Sequence, residues 1–105
     1  MDVSKDGGQP GIDREVPRVS VSADVQLRSP GKGSQTVHLR DLAADGCSIE
    51  AVNLVQLGEV FWIKFPGLDA LECSVCWETE FVAGLKFVRP LHPGVMDILV
   101  KRLNA

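Results

Sequence analysis

The sequence predicts an all-β domain closed by a single C-terminal helix. Three observations carry that prediction. Segments between residues 19 and 88 repeatedly alternate apolar with polar residues or cluster β-branched and aromatic ones. Short stretches rich in Gly, Pro, Ser and Asp separate them. Beyond Pro93 the apolar spacing changes from two to the helical three or four.

Residues 1–13 hold Gly, Pro, Ser and Asp with almost nothing apolar. They cannot bury enough surface to offset the entropy of ordering, so a flexible tail is expected there, with one folded domain over 14–105. Pro17 removes a backbone donor and pushes Val16 towards an extended shape, so 14–18 is not helical. Val19, Val21, Ala23, Val25 and Leu27 then alternate with Ser20, Ser22, Asp24 and Gln26, which marks a first strand with one buried face. Ser29-Pro-Gly-Lys-Gly-Ser34 is a turn. Gln35 to Asp41 is a second strand with Val37 and Leu39 inward, and Asp45-Gly46 turns into a third, roughly Cys47 to Ala51.

Val60 to Phe65 is a β-branched and aromatic fourth strand, stopped by Pro66-Gly67. In the fifth, Leu71, Cys73, Val75 and Trp77 alternate with Glu72, Ser74, Cys76 and Glu78. In the sixth, Phe81, Ala83, Leu85 and Phe87 alternate with Val82, Gly84, Lys86 and Val88. Six short strands joined by tight turns fit a barrel or a sandwich. From Pro93, a residue welcome in a first helical turn, Val95, Met96, Leu99, Val100 and Leu103 share one face of a helix that can pack on the sheet or dock a partner. No internal repeat and no second domain is evident.

With 105 residues, 45% of them hydrophobic, the chain can bury one modest core. It has no apolar run able to span a bilayer and no signal-peptide pattern, so membrane insertion is not expected and the cytoplasm is the expected location. Cys47, Cys73 and Cys76 are odd in number and give no disulfide framework. The Cys73-x-x-Cys76 pair lacks a second ligand pair, and on a strand its spacing puts the sulfurs on opposite faces. Ordinary reduced thiols are expected, and no metal.

The net charge of −3 is unevenly spread. Arg14, Arg18, Arg28, Lys32 and Arg40 outnumber Glu15 and Asp24 between 14 and 40, whereas both flanking regions are acidic. An acidic whole argues against binding long nucleic acid, while a local arginine-rich stretch suits a small anionic ligand or is simply a solvated surface.

No catalytic constellation is legible: no serine elbow, no paired histidines and no Gly-rich phosphate loop. His38, in a strand beside Arg40, and His92, between Leu91 and Pro93, read as isolated surface or structural residues. The chain is not expected to be an enzyme or to carry a cofactor.

One set of residues does suggest binding. Arg14 and Arg18 lie on the same side of an extended segment, roughly 13 Å apart. Their guanidinium forks suit phosphates and the O6/N7 edge of guanine. Asp41 can accept from guanine N1 and N2, and Gly46 permits close backbone approach or a positive φ. The structural alternative pairs Asp41 with Arg14, Arg18 or Arg40 and leaves Gly46 as a plain turn residue.

Arg14-x-x-x-Arg18, a strand, then Asp41-x-Ala43-x-x-Gly46 resembles the PilZ signature R-x-x-x-R followed by D/N-x-S-x-x-G. The stretches Cys73 to Trp77 and Gly84-Leu-Lys-Phe87, with the terminal helix, extend the likeness from Arg14 to about Leu103. The resemblance implies a six-stranded antiparallel β-barrel with a C-terminal α-helix. It also implies a bacterial cyclic di-GMP receptor acting on a downstream protein partner. Arg14 and Arg18 would contact phosphates and guanine from a segment that orders on binding, Asp41 would hold a guanine edge, and Gly46 would shape the turn. Ala43 replaces the signature serine. The lost hydroxyl costs about 0.5–1.5 kcal/mol, roughly a factor of two to ten in affinity. The competing expectation is a PilZ-fold adaptor that no longer binds the nucleotide. Trp77 could stack on a base, although its place in the alternation favours core packing.

Overall fold

The computed structural model describes residues 18–50 and 55–104. The expected tail, Arg14, Pro17 and the end of the third predicted strand at Ala51 lie outside the described residues.

Six strands, β1 (Arg18–Ser29), β2 (Gly33–Ala43), β3 (Gly46–Glu50), β4 (Val60–Lys64), β5 (Leu71–Glu78) and β6 (Val82–Phe87), precede one helix, α1 (Pro93–Leu103). They close in the order β1-β2-β3-β6-β5-β4, and every neighbouring pair is antiparallel. The barrel is thus the outcome of the two all-β options. The alternation explains why: Val25 and Leu27 of β1, Val37 and Leu39 of β2, Ile49 of β3, Phe61 and Ile63 of β4, Cys73 and Val75 of β5, and Leu85 and Phe87 of β6 all enter one core.

Closure leaves no sheet edge, but β1 reaches β4 only through Gln26, Leu27 and Arg28. The first residue of β1, Arg18, therefore pairs on the β2 side alone. The β1–β2 turn is made possible by Gly31 and Gly33, both at positive φ (77° and 78°), where a β-carbon would be strained.

The helix begins as its residues dictate. His92 is the N-cap, its Nδ1 accepting the Gly94 N–H at 3.0 Å, and Pro93 opens the first turn. Leu99 and Leu103 are buried in the barrel core, with Val95, Met96 and Val100 packed against it. The predicted stripe therefore covers the barrel. Arg102 Nη1 adds a tether, donating to Pro66 O at 3.2 Å.

Two inward assignments are corrected. Phe81 precedes β6, in the turn, and is 54% exposed. Trp77 is half-buried and outside the core cluster. The cause is a bulge in β5: Val75 pairs with Leu85 but Trp77 pairs with the next residue, Gly84, so Cys76 is one residue too many and every later side chain changes face.

Candidate functional site

The same device places Asp41. Strict alternation from Val37 and Leu39 would send Asp41 into the core. Instead Leu39 pairs with Ile49 and Asp41 with the adjacent Ser48, so Arg40 is extra and Asp41 turns outward. Leu42, opposite Cys47, then resumes the core face.

Two bulges thus populate one outer row across the barrel wall: Ser20, Asp41, Ser48, Gly84 and Trp77, each paired with the next. Three strand spacings separate Asp41 from Trp77, about 14 Å. The adjacent row runs Arg18, Ala43, Gly46 and Lys86. Arg18 and Asp41 are diagonal neighbours in these rows, within reach of a long side chain.

Arg18 Nε stands 3.9 Å from Asp41 Oδ1, and both side chains are about a quarter exposed (26% and 21%). At that distance they form an ion pair without a hydrogen bond. Asp41 Oδ1 is itself shielded from water and has no hydrogen-bond partner among the described residues, as is Trp77 Nε1. A buried carboxylate oxygen and a buried indole N–H left unsatisfied are costly; the first faces Arg18 and the second lies over Gly84.

Gly46 and Gly84 are glycines for the same reason. A β-carbon on Gly46 would strike Leu85 O of the neighbouring strand, and one on Gly84 would strike the Trp77 indole. Neither has a positive φ. Of the two roles open to Gly46, close approach is the one it plays. Ala43, paired with both Arg18 and Gly46, is 1% exposed yet lies outside the core cluster.

The turn between Asp41 and Gly46 is held from behind. Phe87 N–H donates to Asp45 O at 2.9 Å and Leu91 N–H to Ala44 O at 2.7 Å. The strand leading to α1 and the linker after it are therefore fastened to the signature turn.

Of the four sequence-predicted site residues, Arg18, Asp41 and Gly46 are brought together and Arg14 lies outside the described residues. Trp77, which alternation would turn inward, joins the same outer row against Gly84; the signal in the sequence was a tryptophan facing a small residue across a hairpin.

His38 is not isolated. Its Nε2 lies 3.0 Å from Ser22 Oγ and its Nδ1 3.1 Å from Asp24 Oδ1. Ser, His and Asp share an order familiar from hydrolases, but here they sit on the open outer face, with Asp24 69% exposed. None of the three lines the grooves found among the described residues.

The thiols divide by burial. Cys73 lies in the core, its Sγ donating to Phe61 O at 3.5 Å, and Cys76 sits half-buried at the β5 bulge. All three cysteines are free. Burial pushes the Cys73 thiol up to about 12, Cys47 well above its ordinary value, and Cys76 upward as well. Among the described residues no cluster of three or more His, Cys, Asp or Glu is arranged to hold a metal.

The described residues thus form a closed six-stranded antiparallel barrel with one terminal helix, and its outer wall carries an arginine–aspartate pair beside a glycine turn. The model of the PilZ domain family matches residues 12–104, and the chain belongs to that family of cyclic di-GMP receptors. Its fold is similar to that of the Bacillus subtilis inhibitor of motility MotI/DgrA, with a TM-score of 0.60 and 18% identity over 88% of this chain. The chain spans 50% of that protein's length. No curated protein matches it. Among the described residues no helix is long and apolar enough to cross a membrane.

Proposed function

We propose that this chain is a cyclic di-GMP-binding receptor domain whose leading segment reorganises on binding to signal to a protein partner. The observation that carries the reading is the convergence of Arg18 and Asp41 beside the Gly46 turn, with Asp41 Oδ1 unsatisfied. A guanine amide edge would supply the donors that this carboxylate lacks. The Arg18 guanidinium, released from a loose ion pair, would turn to phosphate or to the O6/N7 edge, with Arg14 approaching from the segment before β1. The Trp77 indole, at the far end of the Asp41 row, offers an aromatic surface for stacking.

Ligand contact with residues preceding β1 is what would change the surface offered to a partner. Ordering that segment costs free energy, so affinity should be modest. Isothermal titration calorimetry with cyclic di-GMP tests the reading: saturable heat in the micromolar range is expected, and no heat at high micromolar ligand ends it.

One observation favours a second reading. Ala43 puts a methyl where the signature has a hydroxyl, consistent with an adaptor that keeps the fold and has lost the nucleotide. A partner complex indifferent to both the nucleotide and an Arg14→Ala/Arg18→Ala double substitution would establish that alternative.

A further inference from the structure

On the barrel wall of β4, β5 and the end of β6, outside the Asp41 row, Trp62 pairs with Glu72 across the β4–β5 ladder and with Arg28 across β1–β4. Val88 stands on the other side of Glu72, its N–H donating to Glu72 O at 2.9 Å. Between them lies a groove of about 390 Å³, lined by Trp62, Ala70, Leu71, Glu72, Val88 and Arg89. Val88 is 61% exposed. Trp62 is half-buried, and with exposed Val88 it leaves an apolar patch on the outer wall that the barrel core does not use.

The charges around this groove state what would cover that patch. Arg89 lines the groove, Arg28 is paired with Trp62, and Lys86 is paired with Ser74, two residues from Glu72; all three are exposed, against Glu72 and the neighbouring Asp69, on a chain whose net charge is −3. An apolar floor holding tryptophan, with Arg89 in its wall and Arg28 beside it, has the composition of a protein-binding hot spot. The carboxylate of Glu72 in the middle of the floor repels a phosphate but can accept backbone N–H groups of an extended segment. We propose that this groove docks a segment of a protein partner in which apolar or aromatic side chains are flanked by Asp or Glu. The apolar side chains fill the floor between Trp62 and Val88, and the acids reach Arg28 and Arg89.

The groove is also joined to the signature turn. Val88 and Arg89 form one wall and lie between Phe87 and Leu91, the two residues whose N–H groups hold Asp45 O and Ala44 O. That wall is thus hydrogen-bonded, through its two neighbours, to the turn. Control of docking by cyclic di-GMP rests on the function proposed above; docking itself does not.

The test is selection of a displayed random peptide library on the full chain, with counter-selection on Trp62→Ser, followed by measurement of enriched peptides on Arg89→Glu. Expected are sequences combining Asp or Glu with aromatic or aliphatic residues, with affinity falling about fivefold or more on Arg89→Glu. Amide spectra of the complex should show shifts centred on Trp62, Glu72 and Val88. No enrichment over Trp62→Ser, enrichment of basic sequences, or shifts centred elsewhere overturns the proposal. Should Trp62→Ser not fold, Val88→Asp serves as the counter-selector. A parallel titration with cyclic di-GMP, read at Ser48 and Gly84, separates the two claims: peptide docking without nucleotide shifts rejects the receptor reading alone, and nucleotide shifts without docking reject the groove alone.

Discussion

The Trp77 indole occupies the space that a β-carbon on Gly84 would fill. The contact exists because Cys76 is an extra residue in β5 and brings Trp77 into register with Gly84 on the outer wall. Gly84→Ala should therefore move the indole without breaking the barrel, since the obstacle is a side chain able to give. A destabilisation of about 1–3 kcal/mol is expected, with a changed tryptophan emission. If Trp77 stacks on the ligand, the same variant weakens cyclic di-GMP binding. Unchanged emission would mean that the indole is not held by this contact.

Gly46→Ala meets a harder obstacle. Its methyl would strike the backbone carbonyl of Leu85, and β3 could yield only by separating from β6. A larger loss of stability than for Gly84→Ala is expected, read as the difference between two chemical-denaturation midpoints.

Arg18→Ala and Asp41→Asn should separate binding from folding. An ion pair at 3.9 Å between partly exposed groups contributes under about 1 kcal/mol to stability. Each variant should melt close to the parent while losing most of its cyclic di-GMP heat. A collapse of the fold in either variant would show that the pair is structural.

Ala43→Ser restores the signature hydroxyl at a site only 1% exposed. In the free protein that hydroxyl has to find a partner or cost about 1–3 kcal/mol. Thermal melts without ligand should therefore fall, while affinity for cyclic di-GMP rises roughly twofold to tenfold. Unaltered affinity would dissociate the hydroxyl from binding in this chain.

The buried thiols set an alkaline limit. Burial raises Cys73 to about 12 and moves Cys47 the same way, so the folded state keeps protons that the unfolded chain releases near pH 9. For Cys73 the associated stability is fully present below pH 9 and is lost as pH rises from there towards 12, at about 1.4 kcal/mol per pH unit, and Cys47 acts in the same direction. Denaturation midpoints between pH 8 and 11 check this. Alkylation of the native protein at neutral pH should be slow at Cys47 and Cys73 and faster at half-buried Cys76.

Alternation, one β-branched and aromatic run and the turn residues between them determined the number of strands and the terminal helix, because these patterns are written locally and each apolar face must meet another. The resemblance to the PilZ signature also marked Arg14, Arg18, Asp41 and Gly46 as a set before any geometry was known. What the tertiary structure decided is which way the site residues face. Asp41 continues an inward series after Val37 and Leu39, and Trp77 one after Leu71, Cys73 and Val75, so simple alternation points both into the core. Arg40 and Cys76 reverse them, and a bulge is a property of two paired strands: whether a residue is extra depends on the partner's register, which no single segment encodes. The same holds for Gly46 and Gly84, whose missing β-carbons have meaning only once Leu85 and Trp77 lie across from them.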